Sequence, residues 1–294
     1  MRMKKRYSRH SLKQMKKLKN IEKTKDAPRD IETIRILTAG DSVIGTREYQ
    51  QDALFVSKSI CTQAGDTAFA FAILCDGMGG MHSGKETSCL VVAEMWNWFE
   101  TMRRTFSIQN AASLFINEIK RLDALIVENY GAGFTGTTMA TALVSGNNLF
   151  WGGIGDSRIY LIRCGEIVQV TRDHNYSLYL KEDVKKRKIT QEEANTHPKR
   201  DALVSFIGLG RTELIDANTE PFRLENGDMV LLCSDGLTKS LTDDAIANLI
   251  SEYDYDIKKA AVFLTQHAIN NDKGPKDNTS VILMKYLERE EGQT

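Results

Sequence analysis

The stretch Ala68-Phe69-Ala70-Phe71-Ala72-Ile73-Leu74-Cys75-Asp76-Gly77-Met78-Gly79-Gly80 decides how this chain is read. Eight residues without a polar side chain end in an aspartate, and three glycines follow within four positions. An apolar run of that length, rich in Phe and Ile, predicts a strand buried on both faces. Asp76 then sits at a strand end, where a rigid element presents it and loops gather around it. The glycines let backbone come close to whatever the carboxylate holds. A tight turn after a core strand would give the same pattern once. The pattern recurs, however. Val230-Leu231-Leu232-Cys233-Ser234-Asp235-Gly236 is a second apolar strand ending in Asp-Gly, and Leu149-Phe150-Trp151-Gly152-Gly153-Ile154-Gly155-Asp156 is a third ending in aspartate.

Outward from these strands, the 294 residues suffice for a substantial core. Net charge is zero but uneven: residues 1–30 hold 12 Lys/Arg and 3 Asp/Glu, out of 39 and 39 in the whole chain. The remainder therefore holds 27 basic and 36 acidic residues, a net of −9. An acidic body suits cations more than nucleic acid, and no nucleic-acid partner is expected. Cys61, Cys75, Cys89, Cys164 and Cys233 form no C-x-x-C pair and read as reduced core residues. No apolar stretch approaches the ~20 residues that span a bilayer. The basic N-terminus lacks the apolar region of a signal peptide, so a cytoplasmic location is expected. Residues 1–30 read as a flexible basic tail, with Leu12, Met15, Leu18 and Ile21 spaced for weak contact with a membrane or partner.

The body is expected over residues 31–287, followed by a polar tail over 288–294. Ile34–Ala39 predicts a strand and Asp41–Gly45 a turn. Ser83–Met102 predicts a helix with Cys89, Val92, Ala93, Trp96 and Phe99 on its apolar face. A second helix from about Ile108 carries Phe115, Ile119, Leu122 and Ile126, with Ser107 as its cap. Thr137–Val144, Leu149–Ile154, Arg158–Arg163 and Glu166–Val170 predict strands of one antiparallel meander, with a hairpin turn at Gly146-Asn147-Asn148. Residues 174–212 are a polar flap insertion with a short helix capped by the Thr190-Gln191-Glu192-Glu193 box, expected to cover the site and to set substrate choice through its basic cluster Lys185-Lys186-Arg187-Lys188. Strands near Thr219–Leu224 and Asp228–Cys233, helices near Asp243–Ser251 and Ile257–Asn270, and a strand over Asn278–Tyr286 complete an α+β domain, sheet against sheet with helices outside.

The residues able to carry chemistry are Arg47, Asp52, Asp76, Asp156, Asp235 and Asp277. Carboxylates without His or Cys suit Mg²⁺ or Mn²⁺. Aspartates converging at strand ends repel one another unless cations lie between them. Two cations sharing a carboxylate make a site for in-line attack of a metal-bound hydroxide on phosphorus, and an arginine nearby would hold phosphate oxygens in a fork. The alternatives are a turn residue paired with Arg158 at Asp156, and a surface ion pair with Glu48 at Arg47.

At these residues the chain resembles the metal-dependent protein serine/threonine phosphatases, the PPM or type 2C family, in its bacterial branch. The matching stretches are Arg47-Glu48-Tyr49-Gln50-Gln51-Asp52, Asp76-Gly77-Met78-Gly79-Gly80, Gly136-Thr137-Thr138, Gly155-Asp156-Ser157-Arg158, Thr171-Arg172-Asp173-His174, Ser234-Asp235-Gly236-Leu237 and Asp277-Asn278-Thr279, in the family's order over roughly residues 40–285. The resemblance implies a four-layer α-β-β-α sandwich, two central antiparallel sheets flanked by helix pairs. It implies a monomer that hydrolyses phosphoserine and phosphothreonine on proteins, reversing a Ser/Thr kinase, with two Mn²⁺ or Mg²⁺ ions. By the same resemblance Asp76 bridges the ions and the Gly77 carbonyl is a ligand. Asp235 and Asp277 complete one ion, Asp52 belongs to the other, and Asp156 with Asp235 marks a third position. Arg47 matches the phosphate-binding arginine, and Asp173 and His174 orient a loop. Gln50 and Gln51 depart from the family pattern. Met78 stands where eukaryotic members place a proposed general acid, a role then left to metal-bound water or His82. A silent phosphoprotein-binding relative, or a regulator recruited through the tail, are the competing expectations.

Overall fold

The computed structural model describes residues 31–61, 68–80, 83–103, 110–253, 256–270 and 274–290. In chain order the strands are β1 (Ile31–Val43), β2 (Asp52–Val56), β3 (Ile60–Cys61), β4 (Ala68–Gly79), β5 (Thr135–Thr137), β6 (Met139–Ser145), β7 (Asn148–Ile154), β8 (Arg158–Arg163), β9 (Glu166–Gln169), β10 (Asp216–Ala217), β11 (Phe222–Arg223), β12 (Met229–Cys233) and β13 (Thr279–Glu290). The helices are α1 (Ser83–Met102), α2 (Ala111–Tyr130), α3 (Ser177–Lys185), α4 (Gln191–Thr196), α5 (Asp235–Ser240), α6 (Asp243–Glu252) and α7 (Ile257–Asn270).

One sheet runs β1-β13-β12-β8-β9 and the other β10-β7-β6-β4-β2, with β3 and β5 on β4 and β11 on β7. Every pairing is antiparallel. The period-2 alternation of β4 divides its apolar run between two cores. Ala70, Ala72 and Leu74 meet Val230, Leu232, Ile282 and Met284 of the facing sheet. Phe71, Ile73 and Cys75 meet Val91, Met95 and Phe99 of α1 and Phe115, Ile119, Leu122 and Ile126 of α2. In the other sheet Leu231 and Cys233 turn outward onto α5, α6 and α7. The result is the layered helix-sheet-sheet-helix sandwich, and the strand read as buried on both faces is so because a layer lies on each side of it.

The local differences have identifiable causes. Helix α1 is rotated from the face its apolar spacing predicts. It buries Gly84, Thr87, Ser88, Val91, Met95, Phe99 and Met102, and leaves Cys89 and Ala93 exposed. Two polar residues decide this: Ser88 Oγ donates to the Gln51 carbonyl at 2.6 Å, and Thr87 shares a hydrogen bond with Thr135 at 3.0 Å. Cys75 and Cys233 are buried, but Cys89 and Cys164 are exposed, so these two are not core residues. The expected meander breaks at Gly155-Asp156-Ser157, where the chain leaves one sheet (β7) for the other (β8). The strand expected over Thr137–Val144 is likewise two strands, β5 and β6, parted at Thr138. Asp41 lies inside β1, not in a turn, and β13 continues through Glu290, past the expected end of the body at 287. Residues 174–212 contain α3 as well as α4, and α4 carries the expected Thr190–Glu193 capping box. The expected cap Ser107, His82 and the basic segment 1–30 lie outside the described residues.

Candidate metal centre

The carboxylates meet where the two sheets end together. Asp52 opens β2 and lies directly opposite Asp76 in the β2–β4 ladder. Like charges facing across an antiparallel pair are destabilising, so this register is itself an argument for a cation. Asp76 sits at the partly exposed end of the run, with its backbone fixed on three sides. Its N–H donates to Thr138 Oγ1 at 3.0 Å, and its carbonyl accepts from the Thr138 N–H at 2.9 Å and from Thr137 Oγ1 at 2.9 Å. The Gly136-Thr137-Thr138 motif therefore serves to hold Asp76. Asp52 is buried, and Ser234 Oγ donates to its Oδ2 at 2.8 Å. Ser234 in turn accepts from the Ser280 N–H at 2.9 Å, which joins both sheets at one hydroxyl.

From the other sheet, Asp235 is the first residue of α5, two residues after the end of β12, and Asp277 lies two residues before the start of β13. Asn278 secures the loop that carries Arg47. Its amide donates to the carbonyls of Ile44 at 2.9 Å and Tyr49 at 3.1 Å, and its Oδ1 accepts from the Gln51 N–H at 2.8 Å. Arg47 forks onto Asp277, Nε to Oδ1 at 2.9 Å and Nη2 to Oδ2 at 3.0 Å, with its side chain 59% exposed. It makes no pair with Glu48, which instead accepts from the Tyr49 hydroxyl. Arg158 forks onto Asp173 at 2.8 Å, not onto Asp156, so Asp156 is not the partner of Arg158. The Asp173 and His174 segment is a positioned loop: Gln169 and Arg158 hold Asp173, and the Gly155 N–H donates to His174 Nδ1 at 3.2 Å.

The recurring Asp-Gly has one packing explanation in both halves of the site. A Cβ on Gly77 would lie 2.1 Å from the Gly84 carbonyl oxygen, and one on Gly236 would lie 2.1 Å from the Asn278 carbonyl oxygen. The glycine lets a neighbouring segment cross the chain beside the aspartate. This steric role stands beside the close approach of backbone to a ligand that the sequence suggests. Helix α1 crosses at Gly77, and the start of β13 crosses at Gly236, which brings Asp277 beside Asp235.

The charges are crowded. Burial, then the nearby Asp235 and Asp277, push Asp52 up to about 6 even though Ser280 and Ser234 hydroxyls favour its charged form. Burial, then Asp235 and Asp173, push Asp156 up to about 7. Burial and four neighbouring aspartates hold Asp76 well above the ordinary carboxylate range. Burial also raises Asp235, despite Lys239 beside it. Burial alone would raise Asp277, but Lys239 and Arg47 carry it below its ordinary value. Two buried carboxylate oxygens, Asp52 Oδ1 and Asp235 Oδ1, have no hydrogen-bond partner among the described residues. Orphaned anionic oxygens of this kind are what a hard divalent cation would satisfy.

Among the described residues, no three His, Cys, Asp or Glu side chains close around one point tightly enough to hold an ion as they stand. Two of the carboxylates are engaged by the chain's own cations instead. Lys239 Nζ lies 2.6 Å from Asp235 Oδ2 and 3.2 Å from Asp277 Oδ2. The sequence reading missed Lys239. It would have been visible as an i, i+4 Asp–Lys pair had the residues after Asp235 been read as a helix. A cavity of about 400 Å³ opens beside the carboxylates, lined by Asp156, Asp235 and Lys239 and by Asn175, Ser177, Lys181, Arg200 and Asp201 of the insertion. The basic cluster Lys185-Lys186-Arg187-Lys188 is not in its wall, and Lys185 and Lys188 pair locally with Glu182 and Asp183.

Comparison with known proteins bears on the family and the fold. Residues 39–267 match the family model described as protein phosphatase 2C. The protein phosphatase PhpP of Streptococcus pneumoniae is 31% identical over 221 residues, covering 74% of this chain and 86% of PhpP. The serine/threonine phosphatase structure from S. agalactiae superposes with a TM-score of 0.71 at 28% identity, covering 85% of this chain and 98% of that one. The catalytic domain of the serine/threonine protein phosphatase PstP, in complex with 2 manganese ions, superposes with a TM-score of 0.67 at 25% identity, covering 87% and 100%. With the two sheets, the carboxylates at their shared end and a family match over most of its length, this chain belongs to the protein phosphatase 2C family.

Proposed function

We propose that this protein is a metal-dependent phosphatase that removes phosphate from phosphoserine and phosphothreonine on proteins, opposing a Ser/Thr kinase. The observation that carries the reading is the convergence of Asp52, Asp76, Asp235 and Asp277 at one sheet end, with two buried carboxylate oxygens orphaned there. The names of the related phosphatases support it, and every carboxylate the resemblance requires is present, which disfavours a silent binding module. Asp52, Asp76, the Gly77 carbonyl, Asp235 and Asp277 would hold two Mn²⁺ or Mg²⁺ ions, with Asp156 and Asp235 marking a third position. Bound there, such ions activate water and neutralise phosphate charge. The chain's own part is orientation. Arg47 carries a guanidinium fork that fits phosphate as it now fits Asp277. Met78 supplies no proton to the leaving oxygen.

Hydrolysis of a phosphothreonine peptide is expected with Mn²⁺ and not in excess chelator; full turnover in chelator would overturn the reading. In the same assay Arg47→Ala is expected to raise KM about tenfold, because the guanidinium pairs with substrate phosphate, while Mn²⁺ affinity is kept or raised, because the fork on Asp277 is released. A normal KM with lost metal binding would refute that role.

Substrate choice is proposed to lie in the insertion, because the phosphate itself is common to all substrates. Lys181 and Arg200 face the cavity, whereas the cluster at 185–188 does not. Replacing Lys181 and Arg200 with glutamine is expected to lower kcat/KM about tenfold on an acidic phosphopeptide and to leave a small aryl phosphate unaffected. Neutralising Lys185-Lys186-Arg187-Lys188 is expected to change either substrate less than about threefold. Equal loss on both substrates for Lys181 and Arg200 would reduce the insertion to a folding role.

A further inference from the structure

The structure assigns Lys239 a part that the family resemblance does not: we propose that it is a tethered counter-ion, which competes with a divalent cation for Asp235 and Asp277. This rests on the reading of those aspartates as metal ligands. Lys239 lies one helical turn beyond Asp235 on α5, so its side chain returns along the same face to its neighbour's carboxylate. Its ammonium bridges two carboxylates from distant segments, at 2.6 Å to Asp235 and 3.2 Å to Asp277. Both belong to the crowded set whose mutual repulsion needs a positive charge between them. Lys239 supplies that charge from within the chain at Asp235 and shares Asp277 with the Arg47 fork.

The contact is built to exchange. The Lys239 side chain is 53% exposed. It lines both the cavity of about 400 Å³ beside Asp156 and a second of about 490 Å³ beside Arg47, Ser240 and Asp277, so there is room for the ammonium to withdraw on either side. Asp235 offers Oδ2 to Lys239 while its Oδ1 is buried without a partner, so one carboxylate faces two claims. A divalent cation has twice the charge of the ammonium and a stronger demand for carboxylate oxygens. It wins when concentrated enough, but must first break the lysine's two contacts. Lys239 therefore holds the metal-free site together and sets the metal concentration at which it loads.

The test is calorimetric titration of Mn²⁺ into the wild-type protein, Lys239→Gln and Lys239→Arg, with thermal unfolding in chelator and in saturating Mn²⁺. Lys239→Gln is expected to bind Mn²⁺ about tenfold more tightly. It is also expected to melt about 3 °C lower without metal, with the difference closed by saturating Mn²⁺. Lys239→Arg retains the charge and is expected to stay within about threefold of wild type in affinity. Unchanged or weaker Mn²⁺ binding by Lys239→Gln would overturn the proposal while leaving the metal centre intact. Absence of Mn²⁺ uptake by the wild-type protein would instead remove the metal centre on which the proposal rests.

Discussion

Asp76→Asn is expected to cut Mn²⁺-supported hydrolysis of a phosphothreonine peptide by about 10³-fold or more, and at the same time to stabilise the metal-free protein. Asparagine keeps the size of the side chain and removes its charge. The lost activity follows from the position of Asp76, opposite Asp52 in the ladder and between the carboxylates of both sheets. The gained stability follows from the same crowding. Burial, then Asp52, Asp235, Asp156 and Asp277, raise the Asp76 carboxyl well above its ordinary 3.8. A raised carboxylate pKa means that the folded chain keeps a proton which the unfolded chain releases. Ionised Asp76 therefore weakens the fold above the ordinary value, and that cost fades as pH falls back to it. Removing the charge is expected to stabilise the metal-free protein at pH 8 and to have little effect near pH 4, where the folded chain keeps the carboxyl protonated. Urea unfolding in chelator at both pH values measures this. Equal or lower stability of the variant at pH 8 would show that the carboxylates are not crowded as described.

Gly77→Ala has the other large expected effect. The added Cβ would lie 2.1 Å from the Gly84 oxygen, 2.6 Å from the Gly84 carbonyl carbon and 2.8 Å from the Gln51 oxygen, all backbone. No side-chain rotation relieves such a clash, so either β4 or the start of α1 must move. A loss of about 3 kcal/mol or more in urea unfolding is expected, with activity down about 10²-fold because Asp76 is displaced. Gly80→Ala is the matched control, since nothing among the described residues lies within 4 Å of a Cβ there. It is expected to stay within about 0.5 kcal/mol of wild type. Similar behaviour of the two variants would refute the close crossing at Gly77.

The glycines of Asp76-Gly77-Met78-Gly79-Gly80 also show where sequence reading stops. Together they mark a special turn, but their reasons differ: Gly77 is crossed by α1, Gly79 has φ +136°, and a Cβ on Gly80 would meet nothing among the described residues. Composition records none of these, because each depends on what another part of the chain places nearby. Helix α1 is the same case. Its apolar spacing predicts one face, and hydrogen bonds from Ser88 and Thr87 to segments far away in sequence select another.

Features that depend on local pattern are legible in the chain without its fold. The doubly buried strands, the helix faces of α2 and α7, the capping box at Thr190 and the aspartates at strand ends are all written in consecutive residues. Short-range periodicity and turn chemistry are properties of a segment. The tertiary structure decided the division of β7 and β8 between two sheets, the pairing of Asp52 with Asp76, and the fork of Arg47 on Asp277 in place of Glu48. It also decided the presence of Lys239 between two carboxylates. Electrostatic and steric neighbours are set by distance in space, and residues as far apart in sequence as Arg47, Lys239 and Asp277 become neighbours only once both sheets have formed.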